Sequence, residues 1–242
     1  LTIFGVCLGL SSIKFALDTN YAMAIIAIGF AAILDTLDGR VARLIKGTSK
    51  IGKELDSLTD VISFGVAPGF IMYFWALNEI GKFGWMFVLI YTVCCALRLA
   101  RFNLMTIEEN ETWKINFFEG VPSPAAAGLV LLPLILNLSG FLQFGNYTVV
   151  SSIVILTTSI LMVSKVPTYS LKRILIPRKL AIFLLLGIGV YVSLIIFYTF
   201  ETLFVSGLIY VILIPVSFFH FKYLNKKSLI SVSEEEETED VL

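Results

Sequence analysis

The stretch D-T-L-D-G-R-V-A-R (Asp35 to Arg43), followed after eight residues by G-K-E-L-D-S-L-T-D (Gly52 to Asp60), decides how this chain must be read. It sits between long apolar runs, and four of its aspartates need a reason to be there. An ionised side chain near the centre of a bilayer costs about 2.5–3.5 kcal/mol on insertion scales, so four uncompensated ones cost on the order of 10 kcal/mol. Residues three, four and seven apart share a helical face. Asp35, Asp38, Gly39 and Ala42 therefore form one stripe, and Gly52, Asp56 and Asp60 a second. If the segment Lys46 to Lys50 turns the chain back, the two stripes face each other, as in metal sites built between the helices of a bundle. The donors are all hard oxygens with no His or Cys among them, which favours Mg²⁺ or Mn²⁺, with Ca²⁺ open, over zinc or copper. Gly39, Ala42 and Gly52 leave room for a flat or bulky group, and the neighbouring Arg43 suits a phosphate. A structural ion-pair network with Arg40, Arg43 and Lys53 is the competing account of the four acids.

Outward from this motif the chain is membrane-like throughout. It is 57% hydrophobic and 15% charged over 242 residues, with a mean hydropathy of +0.90, far from the soluble balance. Apolar stretches long enough to cross about 30 Å of hydrocarbon fall near 1–17, 21–44, 57–77, 82–105, 121–139, 147–165, 179–200 and 202–223. The expectation is an all-α integral membrane protein of about eight transmembrane helices, residues 1–223, with an acidic, disordered cytoplasmic tail at 224–242. Lys and Arg gather on cytoplasmic ends of spans. With both termini inside, 16 of the 18 basic residues fall on that side, leaving Lys14 and Lys82 on the other. The acidic motif, and hence the active site, is placed toward the cytoplasmic face. The first apolar run lacks a basic n-region and a small-residue cleavage site, so it is expected to remain as a span. A net charge of zero says nothing about nucleic acid.

The pattern D-x2-D-G-x2-A-R-x8-G-x3-D-x3-D, complete here at every fixed position, resembles the signature of the CDP-alcohol phosphotransferase family. That resemblance implies two divalent ions held by Asp35, Asp38, Asp56 and Asp60 on the diphosphate of a CDP-linked lipid. It implies that Gly39, Ala42 and Arg43, with Gly52, seat the CDP-lipid, and that Asp60 is the general base. D-S-L-T-D-V-I-S-F-G-V-A-P (Asp56 to Pro68), A-L-R-L-A-R-F-N (Ala96 to Asn103), G-V-P-S-P-A-A-A-G (Gly120 to Gly128) and L-M-V-S-K-V-P (Leu161 to Pro167) are similar to the phosphatidylserine-forming branch of the family. They imply CDP-diacylglycerol and L-serine as substrates, and relatives imply a homodimer in the cell membrane. Leu1 already lies in an apolar run where relatives carry a polar, amphipathic segment first, so the chain is expected to be trimmed or to start late.

Other residues carry two readings each. Arg98 and Arg101 share a face and either bind the phosphate or the serine carboxylate or mark the end of the fourth span; Asn103 lies close by. Ser63 and Ser123 are acceptor-binding candidates or ordinary helix hydroxyls. His220 sits among phenylalanines and reads as interface packing, which leaves proton transfer to a carboxylate. Cys7, Cys94 and Cys95 lie in apolar runs and read as packing. Two functional alternatives stay open: the same chemistry with glycerol 3-phosphate or inositol phosphate as acceptor, and a divalent-cation transporter, which also places carboxylates at membrane depth.

Overall fold

A computed structural model describes residues 2–44, 50–104, 117–141, 145–169 and 178–239; within these, some helix-end side chains, those of Ala42, Arg43 and Lys53 among them, fall outside the description. An apolar chain in lipid has to satisfy its backbone groups internally, and here it does so with helices. They are α1 (Thr2–Leu17), α2 (Tyr21–Leu44), α3 (Lys50–Asp60), α4 (Ala67–Trp75), α5 (Lys82–Leu104), α6 (Ser123–Ser139), α7 (Tyr147–Val163), α8 (Arg178–Phe197) and α9 (Thr199–Glu239). α3 and α4 are halves of one rod joined by a π-helical turn, Val61–Val66, so each of the eight apolar runs is one helical rod. Among the described residues four are long and apolar enough to cross a membrane: Tyr21–Val41, Glu54–Trp75, Lys82–Leu104 and Thr199–Leu224. Thr2–Leu17, Ser123–Ser139, Tyr147–Val163 and Ile182–Phe197 are apolar but shorter. A rod of about 17 residues rises about 25 Å, at the short end of what spans a bilayer.

Two features depart from the sequence expectation. A short antiparallel ladder pairs β1 (Phe117–Glu119) with β2 (Pro167–Tyr169), Phe118 opposite Thr168. Three-residue strands are too short to show an alternating pattern; they form because the segments leaving α5 and α7 emerge at the same end of the bundle. The acidic stretch expected to be a disordered tail instead continues α9 to Glu239. A helix already nucleated in its apolar part extends at little further cost.

The bundle is organised about the α3–α4 rod. α1 runs along α2 and also packs on the π turn, using the face Gly5, Gly9, Ser12 and Ala16. The approach is close: a Cβ on Gly9 would stand 2.6 Å from Ser63 Oγ and 3.0 Å from its Cα. This is a small-xxx-small contact that lets backbones meet. α5 packs on the π turn and on α7, and α6 on α4, α7 and α9. Tyr91, fully buried, donates its hydroxyl to the Phe64 carbonyl at 2.7 Å inside the π turn. Phe64, Ile71, Met72, Val88, Leu131, Leu134 and Met162 fill the centre. Among the described residues α8 packs chiefly on α9 and exposes nearly every apolar side chain from Ile182 to Phe197, as a lipid-facing helix does.

Hydrogen bonds fix which helix ends lie together. Thr2 joins the end of α2, Asn103 joins α3, Arg98 joins the start of α6 and Arg101 the end of α7. The Lys14–Asp18 pair belongs to the other end of α1. The helix ends that carry Arg40, Arg98, Arg101 and Lys165 therefore gather at the end that holds the four aspartates.

Candidate active site

Asp35 and Asp38 stand one turn apart on α2, and Asp56 and Asp60 one turn apart on α3. The two stripes do face each other: carboxylate oxygens of Asp35, Asp38 and Asp56 lie within 4.8 Å of one another. Asp60 lies beside Asp35, close enough for the two carboxylates to interact, while its Oδ1 is buried without a partner among the described residues. Carboxylates gathered this closely repel one another unless a proton or a cation lies between them. The π turn begins directly after Asp60, a local irregularity of the kind found at functional sites.

The helix that sequence reading left out of this site is α1. Thr2 Oγ1 donates to Asp38 Oδ2 at 2.8 Å, and Thr2 and Gly5 line the same crevice as Asp35, Asp38, Thr59 and Ser63. The signal was present in Gly5-x-x-x-Gly9, whose spacing marks a close helix contact.

The donor set fits divalent metal. It is made only of hard oxygens, it is half-buried, and one of its oxygens is buried and unbonded. Among the described residues the one salt bridge is Lys14–Asp18, far from this end, and exposed Arg40 pairs with none of the four carboxylates. Arg43 and Lys53 fall outside the described side chains, so the ion-pair account rests on them alone. A Cβ on Gly39 would meet nothing within 4 Å, which leaves space beside the carboxylates. Ala42 and Arg43, expected at the CDP-lipid, lie outside the described side chains, as do the turn at Lys46 to Ser49 and Lys114.

The remaining candidates separate. Arg98 is in the electrostatic field of Asp60. Its Nη1 donates to Ser123 Oγ at 3.4 Å and its Nε is buried without a partner. Ser123 opens α6 between Pro122 and Pro124. Arg101 is exposed and donates to the Val163 carbonyl at 3.1 Å, where it caps α7. Asn103 Nδ2 donates to Ser57 Oγ at 2.8 Å and ties α5 to α3. Ser63 is buried and gives its hydroxyl to the Gly5 carbonyl at 3.1 Å. Ser57 and Thr2 were missed because a lone hydroxyl carries no spacing signal. His220 Nδ1 hydrogen-bonds Tyr169 at 2.8 Å beside the β ladder.

This acidic pair of helices, in an apolar bundle, matches the CDP-alcohol phosphatidyltransferase family across residues 1–218. The chain belongs to that family, whose members are metal-dependent membrane enzymes. Among similar proteins, the CDP-diacylglycerol–serine O-phosphatidyltransferase of Mycobacterium leprae is 35% identical over 93% of this chain and 75% of its own length. Proteins of the same name from Helicobacter pylori strain 26695, at 40% identity over 76% of each chain, and from Mycobacterium tuberculosis H37Rv, at 39% over 76% of this chain and 65% of theirs, are also similar.

Proposed function

We propose that this protein transfers a phosphatidyl group from CDP-diacylglycerol to L-serine, giving phosphatidylserine and CMP. The observation that carries this is the meeting of the α2 and α3 carboxylates in a chain similar to enzymes of that name over most of its length. Asp35, Asp38, Asp56 and Asp60 would hold two divalent ions, Mg²⁺ or Mn²⁺. When bound, such ions neutralise charge on the diphosphate and on the departing nucleotide. Gly39 and Gly52, with Ala42 and Arg43, make room for and seat the CDP moiety.

The chain's own chemistry is proton transfer and positioning. The serine hydroxyl oxygen forms a bond to the phosphorus that carries diacylglycerol. The bond from that phosphorus to the CMP oxygen breaks, and CMP keeps the electron pair. The hydroxyl proton passes to Asp60, whose Oδ1 is buried and unbonded and so is available to accept it. Arg98, in the field of Asp60, positions the acceptor; Arg101, Asn103 and Ser63 hold helices in place. In this reading all eight rods span or enter the cell membrane, both termini and the site face the cytoplasm, and the enzyme works as a homodimer. Gathering of the carboxylates at the basic end of the bundle, instead of midway along it, supports an enzyme over a cation transporter.

The test is CMP release by purified protein given CDP-diacylglycerol and Mn²⁺ or Mg²⁺, with serine, glycerol 3-phosphate and inositol phosphate supplied separately. Serine-dependent release that chelation abolishes is expected. Release with another alcohol alone would move the acceptor, and metal flux into liposomes without CMP release would return the transporter.

A further inference from the structure

Arg98 is the meeting point of a second polar cluster, assembled by α5, α6, β2 and α9. Tyr210, on α9, lies in the field of Arg98 and against Thr168. The Thr168 hydroxyl proton goes to the Gly120 carbonyl at 2.8 Å, so toward Tyr210 this hydroxyl offers only an acceptor. The Tyr210 oxygen is buried with no hydrogen-bond partner among the described residues, and so is Arg98 Nε. The other guanidinium contact, to Ser123, is long at 3.4 Å. Buried donors without partners are rare in folded proteins, and these two, on helices far apart in sequence and within one another's field, are retained where something else accepts from them.

Resting on the transfer reaction proposed above, we infer that Tyr210 is a specificity-determining residue: its hydroxyl and Arg98 Nε together bind the carboxylate of the amino-acid acceptor beside Asp60. Both groups donate, so the ligand must accept. One cation that already faces Asp60 balances a single negative charge, which suits a monoanionic carboxylate and not a dianionic phosphate monoester. The acceptor hydroxyl is then turned toward Asp60. The carboxylate of serine, and not its hydroxyl alone, thereby becomes the feature by which the site separates it from glycerol 3-phosphate.

The experiment compares wild type with Tyr210→Phe, which removes one oxygen atom, using serine and its carboxamide, serinamide, as acceptors. Tyr210→Phe is expected to raise KM for serine about ten-fold, while KM for CDP-diacylglycerol and turnover of serinamide move by less than two-fold. Arg98→Lys, which keeps charge and loses the Nε donor, must move the serine KM in the same direction, and it keeps the inference testable should Tyr210→Phe fail to fold. An unchanged serine KM in either variant, or equal loss with serine and serinamide, overturns the inference and leaves the proposed reaction standing. Wild-type protein that releases no CMP with serine overturns both.

Discussion

The two polar clusters at the basic end of the bundle were built by opposite means. The carboxylate cluster comes from two consecutive helices, and its members lie within the 26 residues from Asp35 to Asp60. The Arg98 cluster draws Ser123, Thr168 and Tyr210 from three further elements spread along the chain. The first is written in local spacing and, in the reading proposed above, serves the CDP-lipid half of the reaction. The second exists only once the helices pack, and it is the acceptor site inferred above. A family that keeps one reaction and changes its alcohol has reason to separate the two in this way.

The largest effect that would sharpen this contrast is at Asp60. Asp60→Asn should lower turnover on the order of 10³-fold, the scale of general base catalysis, while CDP-lipid binding persists in an equilibrium binding assay. Near wild-type turnover would remove Asp60 from the base role. Arg98→Lys comes next: losing the planar fork of donors should raise the serine KM at least ten-fold in steady-state kinetics with little change in the metal requirement, so that the clusters act on different substrates. A shift in metal requirement as large as that in serine KM would merge them.

How far each cluster was legible follows from the same contrast. Asp35, Asp38, Asp56 and Asp60 could be placed on facing stripes because a helix converts spacing into a face, and the structure brings those faces together. The eight apolar runs likewise appear as eight rods, although four are shorter than a full span. The part played by α1 was not read, since Gly5 and Gly9 are also ordinary residues in an apolar helix and Thr2 has no neighbour to give it a pattern. Arg101, Asn103 and Ser63 share sequence segments with site residues, yet their hydrogen bonds go to Val163, Ser57 and Gly5; proximity along the chain does not say which way a side chain is used. Tyr210 carried no sequence signal at all.

Two smaller effects test the scaffold under the carboxylates. Gly9→Ala would push a methyl to 2.6 Å from Ser63 Oγ, and overpacking of this kind costs about 1–3 kcal/mol; a lower unfolding temperature in detergent with reduced activity is expected, and an unaltered one would mean that α1 can move aside. Thr2→Val removes the 2.8 Å hydrogen bond to Asp38, worth about 1 kcal/mol, and should raise the Mn²⁺ concentration for half-maximal activity several-fold. No change would mean that Asp38 is held without α1.

The most direct measurement is of Mn²⁺ binding itself, by paramagnetic resonance, to wild-type protein and to Asp38→Asn and Asp56→Asn, one substitution on each helix. If α2 and α3 hold metal jointly, wild type binds Mn²⁺ and each variant loses affinity at least ten-fold. Wild-type affinity in either variant would show that one stripe suffices, and would contradict the facing-helix site on which the proposed function stands.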